Sequence, residues 1–129
     1  MITGGEPTLH PELPSFVADI KQMGYAVKLD TNGSHPEVVA HLINTSSIDY
    51  CAMDIKAPLN KYPLLCGVSV DTETIMRTIA VIHSSGLPHH FRTTLYPPML
   101  SEEDMSAVKR MVPKKAHHLF QPYLKPGNN

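Results

Sequence analysis

The 129-residue sequence has only two cysteines, no tryptophan and no excess of either charge, with 11 basic and 12 acidic side chains. Cys51 and Cys66 stand fifteen positions apart, so they form no Cys-x-x-Cys pair and no spacing typical of a metal or cluster site. The near-neutral charge does not indicate a basic surface for binding nucleic acid or a polybasic segment for binding a membrane. We therefore expect a protein that binds neither nucleic acid nor membranes.

Long apolar segments are also missing. No run approaches the roughly 20 residues that cross a bilayer, and the segment Met1–Gly5 lacks the charged and apolar regions of a signal peptide. With 42% hydrophobic residues, a chain of 129 residues is long enough to bury the core of one domain. The sequence predicts a single cytoplasmic domain that covers residues 1–129.

Strand-like and helix-like segments alternate along the chain at a spacing that suits βα units. The predicted strands are Met1–Thr3, Tyr25–Leu29, Tyr50–Met53, His90–Tyr96 and His118–Gln121. The predicted helices begin near Leu13, near Pro36 behind Ser34 as a cap, behind Asp71, and behind Ser101 in a variant capping box with Asp104. Because crossovers between such strands are right-handed, we expect an α/β fold with a parallel sheet. In the first helix, Leu13, Phe16, Val17 and Ile20 share one face, which we expect to be buried.

The first loop, Thr3-Gly4-Gly5-Glu6-Pro7, contains two adjacent residues without a Cβ. Such residues adopt positive φ without strain and let a ligand approach the peptide groups directly. The loop is therefore a candidate site for a small polar ligand. Taken alone it is a weak signal, because glycine pairs more often form plain turns.

Polar residues follow each of the five predicted strands. They are Gly4, Gly5 and Glu6; Asp30, Thr31 and Asn32; Asp54 and Lys56; Arg92 and Thr94; and Gln121. Loops after the strands of a parallel sheet meet at one edge, where ligands bind, so we expect one shared site. The alternative is that these residues only form βα turns. Asp54 and Lys56 would equally suit a local ion pair.

The histidine pairs and cysteines favour structural roles. His89-His90 and His117-His118 are adjacent in strands, where neighbouring side chains point to opposite faces, so neither pair can chelate a metal from one side. Cys51 lies in an apolar run and is interpreted as a small buried hydrophobe.

Four segments resemble the radical S-adenosylmethionine (SAM) enzymes, in the same order and spacing, from Ile2 to about Gly127. They are Gly4-Gly5-Glu6-Pro7-Thr8-Leu9, Lys28-Leu29-Asp30-Thr31-Asn32-Gly33, Tyr50-Cys51-Ala52-Met53-Asp54-Ile55-Lys56-Ala57-Pro58 and Phe91-Arg92-Thr93-Thr94. The sequence is most similar to the activating proteins of glycyl-radical enzymes. Within these it resembles particularly the type that activates anaerobic ribonucleoside-triphosphate reductase, with the pyruvate formate-lyase activating type as a near relative.

The resemblance implies a partial TIM-like barrel of parallel strands, wrapped by helices, that begins at the second strand of the family core. It implies that the Gly4–Glu6 loop holds the methionine amino group of SAM. It further implies that Asp30–Asn32, Asp54 and Lys56 line the methionine, ribose and neighbouring cation region, and that Arg92 faces the cofactor carboxylate. The expected partner is a glycyl-radical enzyme.

The sequence departs from the family in one respect. Family members bind a four-iron four-sulfur cluster through three cysteines in a Cys-x-x-x-Cys-x-x-Cys loop, and this sequence has no such loop. We therefore expect the chain as written to be inactive, as a SAM-binding fragment of a complete enzyme. The alternative is an inactive remnant or a protein-binding module. Because the Met1–Thr3 strand would have an unpaired side, we also expect self-association.

Overall fold

The computed structural model describes residues 1–63, 71–96 and 100–123, in which helices alternate with strands. The helices are α1 (Leu13–Gln22), α2 (Pro36–Asn44), α3 (Thr72–Ser84) and α4 (Glu102–Met111); the strands are β1 (Lys28–Thr31), β2 (Tyr50–Asp54), β3 (His89–Leu95) and β4 (His118–Pro122). Short 3-10 turns lie at Pro7–Leu9 and Leu59–Lys61. No helix within the described ranges has the length and apolar character needed to cross a bilayer.

The four strands form one parallel sheet in the order β1-β2-β3-β4. This confirms the predicted α/β class and the parallel pairing. The first predicted strand, Met1–Thr3, is reduced to one parallel bridge between Ile2 and Leu29. Its backbone bonds run from Ile2 N–H to the Lys28 carbonyl at 2.7 Å and from Asp30 N–H to the Ile2 carbonyl at 3.0 Å. The second predicted strand was placed too early, since β1 begins at Lys28 rather than at Tyr25.

The sheet has two chemically different faces, because side chains alternate along each strand. One face, the core face, contributes Leu29, Cys51, Met53 and Phe91 to the hydrophobic core, together with Val17, Val39, Ile79 and Val108 from the helices. The opposite face, the polar face, carries Lys28, Asp30, Tyr50, Asp54, His90 and Arg92. Complete barrels fill this side with bulky apolar side chains. Charges here therefore indicate a surface that meets a ligand or water.

The N-caps of the helices confirm two of the predicted helix starts and correct a third. The Asp71 side chain caps α3, and Ser101 with Asp104 forms the predicted capping box of α4. The prediction for α2 was wrong: His35, not Ser34, is at the N-cap, and it makes no side-chain capping bond. Ser34 lies one residue too early, within the turn that follows β1.

The burial of α1 differs from the predicted face. Leu13 and Val17 are buried, but Phe16 is 54% exposed, so its assignment to the core was wrong. Phe16 on α1 and Met23, directly after its end, are both exposed, and Tyr25 follows with 63% exposure. The stripe that contacts the sheet is therefore narrower than the apolar pattern of the helix.

Candidate functional site

The glycine loop is open on its outer side. Gly4 and Gly5 have φ values of +84° and +40°, and no atom lies within 4 Å of the position that a Cβ would take at either residue. Positive φ favours glycine over residues with side chains. The peptide groups of the loop are therefore within reach of a ligand, as the sequence predicts.

Glu6 ties this loop to the end of β1. Glu6 is 8% exposed, and its carboxylate accepts hydrogen bonds from Asn32 N–H at 2.7 Å, on Oε1, and from the Thr31 hydroxyl at 2.7 Å, on Oε2. The Thr8 hydroxyl also donates to Oε2, and Thr8 N–H approaches it at 3.3 Å. A carboxylate offers about four acceptor positions. Oε1 receives one bond among the described residues, so it can accept another from a ligand.

The turn after β1 packs tightly against β2. The Asn32 side chain accepts from Ser34 N–H at 2.9 Å and fixes the turn. Gly33 has φ +79°, and a Cβ there would lie 2.2 Å from the terminal methyl carbon of Met53. Sequence reasoning missed this requirement. The Asn32-Gly33 pair signalled a turn, but only the fold reveals the contact with β2.

A charged layer crosses the polar face, formed by Asp30 of β1, Asp54 at the end of β2 and Arg92 in the middle of β3. Arg92 Nε donates to Asp54 Oδ1 at 2.7 Å, and Arg92 Nη2 lies 3.8 Å from Asp30 Oδ2. The hydrogen bond to Asp54 raises the pKa of Arg92, against the effect of burial, and the charges of Asp54 and Asp30 raise it further. Asp54 thus pairs with Arg92 from the next strand. The described ion pairs do not include the local Asp54–Lys56 pair considered as an alternative.

Asp30 holds the least satisfied polar atom in the described part of the chain. Among the fully buried side-chain oxygens and nitrogens of the described residues, Asp30 Oδ1 alone has no hydrogen-bond partner. Lys28 Nζ lies 3.6 Å away, too far for a hydrogen bond but close enough for an ion pair. A buried acceptor without a donor costs free energy unless a ligand or water supplies one.

Lys56 lies beside this layer, in a small cavity of about 110 Å³ that is lined by Asp54, Ile55, Lys56, Arg92 and Thr94. Its backbone N–H donates to the hydroxyl of the buried Tyr62 at 2.9 Å, which fixes the peptide while its side chain stays exposed. Sequence reasoning missed Tyr62, because no local pattern marks a residue in the long connection after β2. Pockets for whole small molecules measure about 300–1,000 Å³. This cavity therefore accommodates only part of a ligand the size of SAM.

A larger cavity of about 490 Å³ lies near the end of β3 and the start of α4. Its lining includes Leu95, Tyr96, Leu100 and Met105, with Glu102 and Lys109 as its charged residues. It contains none of the predicted site residues.

The nine predicted binding residues lie in the loop after Ile2, at the end of β1 and its turn, at and just after the end of β2, and in the middle of β3: Gly4, Gly5, Glu6, Asp30, Thr31, Asn32, Asp54, Lys56 and Arg92. Glu6 is bonded to Thr31 and Asn32, Asp30 and Asp54 flank Arg92, and Lys56 follows β2. Of the two other polar residues at strand ends, Thr94 lines the cavity, and Gln121 lies next to Thr94 in the register of β3 and β4.

The cysteines offer no reactive thiolate in the described part. Cys51 is fully buried, and burial, with the charges of Asp30 and Glu6, raises its thiol pKa to about 12. It therefore stays protonated, which confirms its reading as a small hydrophobe. Cys66 lies outside the described residues.

The histidine pairs split between the two faces, as expected. His89 makes an edge-to-face ring contact with His83 of α3, whereas the His90 ring meets Tyr50 on the polar face. In the described ranges, no three His, Cys, Asp or Glu side chains are arranged to hold a metal ion.

Comparisons with known sequences give one family model and two curated relatives. A family model described as the radical SAM superfamily matches residues 1–112. A protein of Methanocaldococcus jannaschii named "putative glycyl-radical enzyme activating enzyme" is 36% identical over 117 residues, which are 87% of this chain and 49% of that protein. A 7-carboxy-7-deazaguanine synthase of Neisseria meningitidis is 40% identical over 57 residues, 44% of this chain and 24% of that enzyme. The chain thus spans about half the length of the first relative.

Solved structures show the same fold. A domain of a pyruvate-formate lyase-activating enzyme from Bacteroides vulgatus has a TM-score of 0.77 at 22% identity, covering 98% of this chain and 84% of that one. TYW1 with a lysine-pyruvate adduct bound has a TM-score of 0.70 at 20% identity, covering 99% of this chain and 42% of that one. These similarities confirm the predicted partial barrel.

Proposed function

Since the chain belongs to the radical SAM superfamily, we propose that it is the SAM-binding part of an enzyme that activates a glycyl-radical enzyme. The observation that carries the proposal is the buried, unbonded Asp30 Oδ1, which belongs to the charged layer with Arg92 and lies 3.6 Å from Lys28 Nζ. SAM carries an ammonium, a carboxylate, a sulfonium and ribose hydroxyls. A site with acids and cations side by side suits such a ligand.

We assign the loop to the amino end of the ligand. The open peptide groups of Gly4 and Gly5 and the remaining capacity of Glu6 Oε1 would accept and surround the methionine ammonium. Because Glu6 is already bonded to Thr31 and Asn32, binding there adds little further ordering of the loop.

We assign the cations to the carboxylate. Arg92 uses Nε to hold Asp54, which leaves its terminal nitrogens for a planar, two-point contact. Lys56 would add a point charge from the next loop. Asp30, with Thr31 and Asn32, would line the methionine and ribose. Bound SAM would supply the radical chemistry of a complete activating enzyme that also provides the electron, and the residues of this chain would bind and orient it.

The iron–sulfur cluster of the family does not fit the residues present. Cluster ligands are thiolates, and the sequence contains only Cys51, which is buried and protonated, and Cys66, fifteen positions later. No catalytic step is assigned to this chain for that reason.

We propose an anaerobic ribonucleoside-triphosphate reductase as the target of the complete enzyme, with pyruvate formate-lyase as the alternative. The similarity to the Methanocaldococcus protein, whose name refers to a glycyl-radical enzyme, supports the class of target. The four ordered segments that resemble the reductase activating type support the choice within that class.

Titration calorimetry of the chain with SAM tests the proposal. We expect saturable binding that weakens about tenfold or more in Lys56→Ala and in Asp30→Asn, because each loses a charge-assisted contact of roughly 1.5–3 kcal/mol. Lys115→Ala, an exposed lysine far along the chain from the predicted site residues, is the matched control and should bind as the parent does. No measurable binding, or equal loss in the control, would refute the assignment.

A further inference from the structure

The side chain of His35 turns away from its own helix and contacts the first loop. His35 is the N-cap residue of α2 but makes no side-chain capping bond. Its Nδ1 lies instead 3.2 Å from the hydroxyl oxygen of Thr8, which is 27 positions earlier in the chain. The Thr8 hydroxyl in turn contacts the Glu6 carboxylate. One hydroxyl group therefore connects His35 to the carboxylate that we assign to the ligand ammonium.

The hydrogen-bond chain determines which atom of the His35 ring carries a proton. A carboxylate can only accept, so the single hydroxyl proton of Thr8 is donated to Glu6 Oε2. Thr8 Oγ1 then faces His35 Nδ1 with its lone pairs. If Nδ1 also presented a lone pair, two acceptors would meet at 3.2 Å. Nδ1 must therefore be protonated and donate to Thr8, and this holds for the neutral and the charged ring alike.

The turn after β1 supports this orientation of the ring. Ser34 Oγ lies 2.9 Å from His35 Nδ1, so the Nδ1–H donor is shared between two hydroxyl oxygens. The same turn contacts Glu6 directly, because Asn32 N–H donates to Oε1 at 2.7 Å. The ring and the carboxylate are thus held by one short segment of chain.

The two oxygens of Glu6 have different occupancies as a result. Oε2 accepts from the hydroxyls of Thr8 and Thr31, whereas Oε1 accepts only from Asn32 N–H among the described residues. Thr8 and Glu6 are 4% and 8% exposed, so water has little access to replace a missing donor. A Thr8 proton that turned towards His35 would meet the Nδ1 proton. The His35 donor therefore favours the Thr8–Glu6 bond, which leaves Oε1 as the oxygen for a ligand.

We propose that His35 is a positioning residue of the ligand site, which acts through Thr8 to direct the ligand ammonium to Glu6 Oε1. The assignment rests on the proposed function for the identity of the ligand. The orientation of Glu6 itself depends only on the contacts of this chain.

The first test uses the ligand-free chain. Nuclear magnetic resonance of the ring nitrogens, recorded where the His35 ring is neutral, should show the proton on Nδ1. His41, exposed on α2, is the reference ring. A proton on Nε2 of neutral His35 would overturn the proposal.

The second test measures SAM binding by calorimetry. His35→Leu should raise the dissociation constant about tenfold, because a hydrogen bond to a charged group loses its support. His35→Asn should restore most of the affinity, since its amide nitrogen can take the place of Nδ1 as a donor. His41→Leu is the matched control and should bind as the parent does. Unchanged binding in His35→Leu, or a loss in His35→Asn as large as in His35→Leu, would overturn the proposal.

A double-mutant cycle tests whether His35 acts through Thr8. In a Thr8→Val chain, adding His35→Leu should change the dissociation constant by less than about twofold, because the connecting hydroxyl is already gone. A full tenfold loss there would show that His35 acts by another route and would overturn the proposal. A parent chain that has the Nδ1 proton but does not bind SAM would refute the proposed function and leave the orientation of Glu6 intact. A chain that binds SAM with the proton on Nε2 would refute only the role of His35.

Discussion

Replacing Glu6 with Gln tests whether the first loop is held to the sheet by a charged side chain. The substitution conserves shape but removes the charge and one acceptor oxygen. If the new carbonyl keeps the Asn32 bond, the amide faces the hydroxyls of Thr8 and Thr31, which can rotate, and Thr8 N–H, which cannot. Weakening two charge-assisted bonds costs about 1 kcal/mol each, and an unsatisfied N–H about 1 kcal/mol more. Relief from burying a charge offsets part of this, so we expect a loss of about 2 kcal/mol.

Urea unfolding followed by circular dichroism measures this loss from the shift in midpoint. Glu12→Gln is the matched control, because Glu12 is exposed at the N-cap of α1 and makes no side-chain capping bond. That control should change the free energy of unfolding by less than about 0.5 kcal/mol. If Glu6→Gln proved as mild as the control, the carboxylate would not hold the loop, and its placement beside the ligand ammonium would lose its structural basis.

Three further predictions concern the stability and association of the chain. Gly33→Ala should destabilise by about 1–3 kcal/mol more than Gly86→Ala in calorimetric unfolding, because both glycines have positive φ but only Gly33 contacts Met53; equal losses would contradict that contact. Burial lowers the pKa of His118 from 6.5, its value in the unfolded chain, to about 4. The neutral, buried ring therefore contributes its full stabilisation above pH 6.5, and this contribution declines as the pH falls from 6.5 towards 4. His118→Gln should reduce the fall in unfolding midpoint between pH 7.5 and pH 4.5, and an unchanged fall would count against the shift. Light scattering should show self-association that grows with concentration, because Ile2 makes only one bridge at the edge of the sheet, and a monomer at all concentrations would refute this.

Local patterns were enough to predict most of the fold. Alternating segments gave the parallel order, and Asp71 and Ser101 marked two helix starts correctly because capping depends on neighbours in sequence. Phe16 was misjudged, and Met1–Thr3 pairs with β1 at Ile2 alone, because burial and the extent of pairing depend on which elements lie alongside. An apolar side chain is buried only where another element covers it, and the periodicity of α1 could not show how narrow that contact is.

For the candidate site, too, the sequence predicted some features and not others. Residue types at strand ends, together with the family resemblance, predicted the groups that gather at one edge of the sheet. Their pairing could not be predicted, because Asp54 meets Arg92 across a gap of 38 positions and Tyr62 reaches the Lys56 peptide from a long connection. The hydrogen bond between Tyr50 and His90 likewise could not be predicted before the register of β2 and β3 was known.

The division of the sheet into a core face and a polar face constrains how this chain can change over time. A point substitution on the core face mainly affects stability, whereas one on the polar face mainly affects ligand binding. The two properties can therefore change independently during evolution. Deleting one residue inside β2 would instead exchange the faces beyond it, turning Met53 outward and Asp54 into the apolar interior. Strand lengths should therefore be held fixed far more strictly than the amino acids that occupy them.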